Sequence, residues 1–352
     1  MAVHSVRRRK YFVALATVVS VFGLGQAVAV QKDGDPAGEL RERTVDFTYT
    51  FKLTDVPYDA QSIKVWIPLP QDSEAQKISR VRIDAGGGYK IVTDAVHGNR
   101  FAYLELSAGR SDSTVTATYR ITRRTQSKLR HKTPGQLLPA DLRRQFLSPS
   151  RLISVEGPVA AEARAIAGNE KDALEIARSL YEHIVDTMRY DKTGEGWGLG
   201  DSLYACDART GNCTDFHSLF IGEARSLGLP ARFIMGFPIP CDAPTGAIDG
   251  YHCWAEFYTP EYGWVPIDAS DAFKHPERRD FLFGGLDENR VKFTSGRDIR
   301  LPGMQGAPLN YSIYPYAEVD GKVHTGMETE YRYANVDSTV DSPLGEVQNT
   351  GF

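Results

Sequence analysis

The chain has 352 residues, of which 41% are hydrophobic and 24% are charged, and its formal net charge is −4. These proportions are globular and exclude collagen-like, coiled-coil and wholly disordered proteins. A mildly acidic chain is not expected to bind nucleic acid generally. The long apolar run lies at the N-terminus, which excludes a polytopic membrane protein.

The first residues have the layout of a secretory signal. A basic segment at residues 7–10 precedes an apolar run at residues 11–25, and Ala27-Val28-Ala29 forms an A-x-A site. We predict a signal peptide over residues 1–29, cleaved after about Ala29, and a periplasmic or secreted protein without a membrane span after cleavage. The alternative is an uncleaved anchor, although the apolar run is short for a transmembrane helix.

Alternating apolar residues predict strands in the next segment. Apolar and polar residues alternate from Val45 to Leu53, and shorter alternations follow as far as Ile121. Several short strands at this spacing predict a β-sandwich domain over residues 40–125. Residues 126–170 lack such a pattern and are interpreted as a connector.

The pattern then changes to helices followed by strands, which predicts an α+β domain over residues 171–334 with helices packed on an antiparallel sheet. Helices are predicted at residues 171–190 and from about 214 to 227. Strands are predicted at residues 232–237, 251–258 and 264–268, the last two joined as a hairpin. Residues 335–352 are polar and predicted to be a disordered tail.

Four cysteines offer thiol chemistry or disulfides: Cys206, Cys213, Cys241 and Cys253. In an exported protein two disulfides are the ordinary expectation, and we predict a Cys206–Cys241 bridge. We read Cys253 as a buried core thiol. Cys213 differs because it opens the second predicted helix, where the helix dipole and free N–H groups stabilise a thiolate.

A cysteine nucleophile needs a base and a group that orients the base. If Thr259 pairs with Gly263 across the hairpin, Asp268 faces Trp254. His252 is then the diagonal neighbour of Asp268 on the same sheet face, within side-chain reach. This register predicts a Cys213, His252 and Asp268 triad, and a one-residue bulge would break it.

Other aromatic residues are weaker site candidates. Trp197, in a glycine-rich segment, and Tyr190, at the end of the first predicted helix, could assist the nucleophile's backbone N–H in holding an oxyanion. Trp254 shares the face of the predicted base and could line the cleft. Arg290 and Arg297 are left outside the site, since surface arginines are common.

Three segments resemble motifs of the bacterial transglutaminase-like superfamily: 211–220 (GNCTDFHSLF), 250–257 (GYHCWAEF) and 263–270 (GWVPIDAS). The resemblance covers roughly residues 170–330. It implies a papain-like core behind a β-sandwich, with Cys213 as nucleophile, His252 as base and Asp268 as the orienting group. In animal transglutaminases Gln and Trp flank the cysteine, whereas Asn212 and Thr214 do so here, so glutamine–lysine crosslinking is not implied.

The sequence therefore predicts a thiol hydrolase or acyltransferase that acts on peptide or side-chain amides, with hydrolysis favoured. The substrate would be a peptide or protein, including cell-wall peptides, and no cofactor or metal is expected. The alternatives are a protein-glutamine transglutaminase and a non-catalytic binding or assembly module with the same fold. A metal site made of Cys213, His252 and Asp268 is a weaker alternative.

Overall fold

The structure is a computed structural model that describes residues 40–106, 114–132 and 135–336. The predicted signal peptide lies outside the described residues, as does the predicted tail from residue 337 onward. Within the described ranges, no helix is long and apolar enough to cross a membrane. All the described residues belong to one compact unit.

The described part of the chain contains 18 strands and six α-helices. The strands are β1 (Glu42–Leu53), β2 (Ile63–Pro68), β3 (Gln76–Asp84), β4 (Lys90–Thr93), β5 (Arg100–Leu106), β6 (Thr114–Arg124), β7 (Gln126–Ser127), β8 (Arg189–Tyr190), β9 (Thr210–Gly211), β10 (Ala231–Pro238), β11 (Thr245–Ala247), β12 (His252–Thr259), β13 (Gly263–Ile267), β14 (Gly285–Leu286), β15 (Arg290–Ser295), β16 (Tyr316–Val319), β17 (Lys322–His324) and β18 (Met327–Asn335). The helices are α1 (Ala140–Leu147), α2 (Gly157–Ala167), α3 (Ala173–Thr187), α4 (Ser202–Ala208), α5 (Cys213–Ser226) and α6 (Ala269–Lys274).

Two five-stranded sheets contain the strands predicted near the N-terminus. One has the order β11-β18-β1-β6-β3 and the other β17-β16-β2-β5-β4. Alternate side chains of β1, β2, β5 and β6 are buried in one hydrophobic core, as the period-2 pattern predicts.

Each of these sheets is completed by strands from much later in the chain. β18 pairs with β1 along nine residue pairs, and β16 pairs with β2. The predicted sandwich boundary at residue 125 therefore leaves out two strands of each sheet. In β18 only Tyr331 and Tyr333 are buried, so its sequence carries too little periodicity to identify its partner.

The segment 126–170, interpreted as a connector, contains two of the helices. α2 buries Val159, Ala160 and Ala163 and packs against α3, α4 and α5. Its apolar residues are few and small, which is why the helical period is weak in the sequence.

A four-stranded antiparallel sheet carries the candidate site, in the order β13-β12-β10-β15. α5 packs on this sheet through β12 and β10. α3 lies inside the first predicted helix, and α5 matches the second within one residue. Thr259 pairs with Gly263 and Ala255 with Ile267, so the predicted hairpin register is confirmed.

Aromatic rings join this sheet to the sheet that contains β1. The ring centroid of Phe47 lies 5.2 Å from that of Phe237 in β10 and 5.4 Å from that of Phe293 in β15. Tyr331 of β18 packs against Phe237 at 4.6 Å. Buried aromatic contacts of this kind stabilise a sheet-on-sheet interface, so the β1 sheet supports the sheet that positions the site.

Candidate active site

Cys213 is the first residue of α5, and its position is set by a capping box. The side chain of Asn212 accepts a hydrogen bond from the N–H of Thr214 at 2.8 Å, and the Asp215 carboxylate accepts one from the N–H of Asn212 at 2.9 Å. This reciprocal pair fixes where the helix begins. The thiol of Cys213 therefore lies at the positive end of the helix dipole, and the residue is 3% exposed.

The carboxylate of Asp215 also holds the glycine-rich loop beside Cys213. It accepts hydrogen bonds from the N–H groups of Gly198 at 2.6 Å and Gly200 at 2.9 Å. Gly211 approaches the same carboxylate with a φ of 150°, and a Cβ at this position would overlap with the Asp215 side chain. The glycines are needed here because the backbone closes around a buried anion.

His252 and Asp268 form a short hydrogen bond. The Nε2 atom of His252 lies 2.6 Å from the Oδ2 atom of Asp268, in the position that the hairpin register predicts. Asp268 is fully buried and caps α6 by accepting the N–H of Asp271 at 3.0 Å. Because Nε2 is engaged, the Nδ1 atom of His252 is the one left to bond with Cys213.

The charges of these three groups depend on one another. The adjacent Cys253 thiol, and then His252, hold the pKa of the Cys213 thiol well below its usual value against the effect of burial. Burial lowers the pKa of His252, but the carboxylates of Asp268 and Asp271 outweigh it and raise that pKa well above its usual value. The site therefore favours a thiolate and imidazolium pair.

Cys253 lies closer to the site than the sequence suggested. It is buried as predicted, but its Sγ atom lies 3.8 Å from the Oγ1 of Thr214 and 3.8 Å from the Nδ1 of His217. Burial, and then the Cys213 thiol, raise the pKa of Cys253 well above its usual value. Cys253 therefore keeps its proton and stabilises the neighbouring thiolate as a donor.

The predicted Cys206–Cys241 disulfide is wrong, since all four cysteines are free. The Sγ atom of Cys206 donates a hydrogen bond to the carboxylate of Glu162 at 3.0 Å, whereas Cys241 is exposed. Both lie in segments that flank the site in sequence. Proximity in sequence does not set the geometry that a disulfide needs.

His217 links the helices that carry Cys213 and Asp268. It is fully buried, and its Nε2 atom accepts the N–H of Ala269 at 3.2 Å. Burial lowers the pKa of His217, which keeps the ring neutral with the proton on Nδ1. The start of α5 is thereby tied to the start of α6.

Two arginines that the sequence left outside the site are buried against it. Nη1 of Arg290 donates a hydrogen bond to the Oδ2 atom of Asp268 at 2.8 Å. Arg297 donates to the Oγ of Ser218 at 2.7 Å and to the carbonyl of Gly200 at 3.2 Å. Arg290 opens β15, whose sequence RVKFTS mixes charged, polar and apolar residues, so no local signal marked it as buried.

The remaining predicted site residues are the aromatic residues Tyr190, Trp197 and Trp254. Tyr190 pairs with Gly211 across β8 and β9, and the Nζ of Lys274 lies 3.9 Å from its ring centroid. Trp197 is partly buried and precedes Gly198 in the glycine-rich loop. Trp254 is fully buried below the guanidinium of Arg290, 5.5 Å from the ring centroid, so the protein rather than a cleft surrounds it.

One group of side chains could offer three ligand atoms to a metal ion. The ligand atoms of His252, Asp268 and Asp271 lie within 4.8 Å of one another. The guanidinium of Arg290 already neutralises both carboxylates, at 2.8 Å and 3.5 Å. A cation here would have to displace a buried arginine, which makes this set a poor fit for a metal.

Part of the chain is similar to a known family. Residues 160–269 match the transglutaminase-like superfamily. An uncharacterised protein of Haemophilus influenzae is 29% identical over 321 residues, covering 78% of this chain and 86% of that protein. Protein-glutamine gamma-glutamyltransferase of Pseudomonas aeruginosa is 26% identical over 147 residues, covering 40% of this chain and 20% of that protein.

A solved structure has the same overall architecture. The crystal structure of a candidate cysteine protease from Cytophaga hutchinsonii aligns with a TM-score of 0.54 and 17% identity, covering 88% of this chain and 95% of that one. This likeness shows a shared α+β fold. The segment 160–269, which matches the transglutaminase-like superfamily, contains Cys213, His252 and Asp268.

Proposed function

We propose that the protein is an exported thiol hydrolase or acyltransferase that cleaves peptide or side-chain amides through a thioester on Cys213. The observation that carries this proposal is a helix-start thiol beside an imidazole, which is bonded at 2.6 Å to a buried carboxylate. A thiol, a base and an orienting acid in this order constitute an activated nucleophile.

The reaction would follow from the protonation states favoured in the site. The Cys213 thiolate attacks the amide carbonyl carbon, and the imidazolium of His252 gives its Nδ1 proton to the departing amine nitrogen as the C–N bond breaks. Water then attacks the thioester carbon while His252 takes up a proton. The acid leaves and the Cys213 thiolate is restored. The N–H of Cys213, at the start of α5, is available to hold the oxyanion.

Water is the favoured acceptor in this proposal. An amine acceptor would make the protein a transglutaminase, and the relative from Pseudomonas aeruginosa carries the name of such an enzyme. Water is favoured because Asn212 and Thr214 flank the nucleophile here, whereas Gln and Trp flank it in animal transglutaminases. Export, proposed from the N-terminal signal pattern, would place the enzyme among extracellular or cell-wall peptides.

The test is alkylation of the purified protein with iodoacetamide across pH, read for each cysteine by peptide mass spectrometry. Cys213 should react fastest, well below pH 8.5, and His252→Ala should shift that reactivity to higher pH. The exposed Cys241 serves as the internal standard. Cys206 should stay slow, since burial and then the Glu162 carboxylate raise its pKa to about 12.

The acceptor is tested next, with amide substrates in the presence and absence of a primary amine. Release of an acid product supports hydrolysis, whereas incorporation of the amine supports transamidation. Cys213→Ala should abolish either reaction. Cys213 reacting no faster than Cys241 would overturn the proposal and favour a non-catalytic binding module.

A further inference from the structure

An exposed apolar surface lies beside the nucleophile and is not used by the proposed chemistry. Tyr314 is 40% exposed and Leu199 is 54% exposed, and both belong to segments anchored near Cys213. Large apolar side chains at such exposure, clustered at a reactive group, are typical of a ligand-contact surface.

Tyr251 connects this surface to the nucleophile. Its phenol oxygen lies 3.2 Å from the Nδ2 of Asn212 and 3.1 Å from the Oγ1 of Thr214, the residues on either side of Cys213. The ring centroid of Tyr251 lies 6.1 Å from that of Tyr314. The apolar surface therefore extends from the residues that flank Cys213 to the exposed ring of Tyr314.

Contacts among the tyrosines and with Tyr49 of β1 hold this surface in place. The centroids of Tyr251 and Tyr311 are 5.8 Å apart, and the backbone N–H of Tyr251 faces the phenol oxygen of Tyr314. Ile313 lies between Tyr311 and Tyr314 in the chain, and its carbonyl accepts a hydrogen bond from the phenol of Tyr49 at 3.3 Å. A surface fixed in this way loses little conformational entropy on binding.

Leu199 is anchored to the same segment from the glycine-rich loop. Its carbonyl accepts hydrogen bonds from the Nδ2 of Asn310 at 2.8 Å and from Arg297 at 3.0 Å. Asn310 directly precedes Tyr311 in the chain. The segment that contains Tyr311 and Tyr314 is thus joined to the glycine-rich loop, which is held beside the start of α5 by Asp215.

We propose that Tyr251, Tyr311, Tyr314 and Leu199 form a subsite for a bulky apolar, preferably aromatic, side chain of the substrate residue next to the scissile amide. The phenol oxygens of Tyr251 and Tyr314 already have protein partners, so ring faces and edges are what remains for a ligand. Aromatic rings pack well against such faces. This inference rests on the proposed function, because it assigns a substrate preference to the same site.

The first test compares two chloroacetamides that differ only in their N-substituent, benzyl or 2-hydroxyethyl. In both, the Cys213 thiolate attacks the methylene carbon, the C–Cl bond breaks and chloride leaves. We expect the benzyl probe to alkylate Cys213 about tenfold faster through a lower KI with an unchanged maximal rate, because its ring is partly buried.

Variants then locate the preference. Tyr314→Ala should reduce the benzyl preference to about twofold or less, and Tyr314→Phe, which keeps the ring, should retain most of it. Tyr89→Ala is the matched control, since Tyr89 is 38% exposed and lies in the segment before β4. Measurable but equal alkylation rates for the two probes in the unmodified protein, or a preference unchanged in Tyr314→Ala, would overturn the subsite.

A binding measurement separates the subsite from the catalytic proposal. In Cys213→Ala protein, N-acetyl-phenylalaninamide should give saturation-transfer NMR signals from its ring, and Tyr314→Ala should remove them. N-acetyl-serinamide should give none. If Cys213 is inert to both chloroacetamides but the phenylalanine ligand still binds, the proposed function fails while the subsite stands. Absence of ring signals from the phenylalanine ligand overturns the subsite.

Discussion

Arg290 and Asp268 form a buried ion pair, with Nη1 of the arginine 2.8 Å from Oδ2 of the aspartate. The same oxygen accepts the hydrogen bond from His252. One carboxylate oxygen is therefore shared by a guanidinium and an imidazole. The guanidinium fixes the carboxylate and opposes, by its positive charge, the rise that Asp268 produces in the pKa of His252.

Replacing Arg290 by glutamine should raise the pKa of His252 further, because the competing positive charge is lost. The alkaline limit of activity should move to higher pH, and the folded state should lose about 3–5 kcal/mol because a buried charge loses its partner. NMR titration of the His252 ring measures the pKa. Arg297→Gln is the control, since Arg297 is equally buried and contacts Ser218 rather than Asp268. An unchanged titration in Arg290→Gln would contradict the assignment.

Asp268→Asn should lower turnover at neutral pH by about 10³–10⁴-fold, because the amide no longer stabilises the imidazolium or its tautomer. Asp271→Asn serves as comparison, since its carboxylate lies 3.5 Å from the Nε2 of His252 rather than 2.6 Å. Its effect should be much smaller. Steady-state kinetics of both variants checks the difference, and equal losses would argue against Asp268 as the orienting group.

Glu223→Gln should stabilise the protein at pH 8. Glu223 is fully buried, and neither carboxylate oxygen has a partner among the described residues. Burial raises its pKa well above the usual value, so the folded state loses stability as pH rises from the unfolded pKa of about 4.3 through that raised pKa. The gain should be about 1–3 kcal/mol at pH 8 and near zero at pH 4.

The matched variant for this prediction is Glu162→Gln. Glu162 accepts hydrogen bonds from His183 at 2.7 Å and from Cys206 at 3.0 Å, and it also pairs with Arg209. This substitution should destabilise the protein where Glu223→Gln stabilises it. Thermal unfolding at both pH values measures the two effects, and a loss of stability in Glu223→Gln at pH 8 would refute the prediction.

Glu256→Gln should make the free energy of unfolding depend less on pH between pH 5 and pH 2. Burial raises the pKa of Glu256, but Arg232 and Lys292 outweigh it and lower that pKa to about 2. The stabilisation is present above the unfolded pKa of about 4.3 and is lost as pH falls through about 2. Urea unfolding between pH 5 and pH 2 should therefore show a shallower decline in the variant. Glu330→Gln, at an exposed ion pair, should leave the decline unchanged.

Gly211→Ala should disrupt the start of α5. A Cβ would overlap with the carboxylate of Asp215, which caps the helix and holds the glycine-rich loop. Gly228→Ala is the control, because Gly228 also has a positive φ but open space around it. The control should cost about 1 kcal/mol, whereas Gly211→Ala should cost more and slow Cys213 alkylation. Equal losses of stability in the two variants would show that the positive φ, and not the contact with Asp215, is what requires a glycine at position 211.

The sequence predicted the parts of the site that depend on local geometry. Asn212 and Gly228 mark the ends of α5, so the position of Cys213 follows from capping preferences. The strand period and the turn at Gly263 set the hairpin register, so the proximity of His252 and Asp268 also follows.

Features that depend on tertiary contacts were not predicted. An arginine in a strand does not reveal whether a carboxylate lies opposite it, so Arg290 was placed on the surface. Cys253 was interpreted only as a buried core thiol, and the packing of α5 shows that it also approaches Cys213. The partners of β16 and β18 are distant in sequence, and no local pattern specifies them.

The pairing of β1 with β18 also has a consequence for when the protein can become active. The first described strand must wait for the last described strand before its sheet is complete. Contacts this distant in sequence form slowly, and the tyrosine segment of the proposed subsite lies in the late part of the chain. A chain synthesised only as far as β15 would lack both, so the synthesis of these late segments would control when the Cys213 site is first fully assembled.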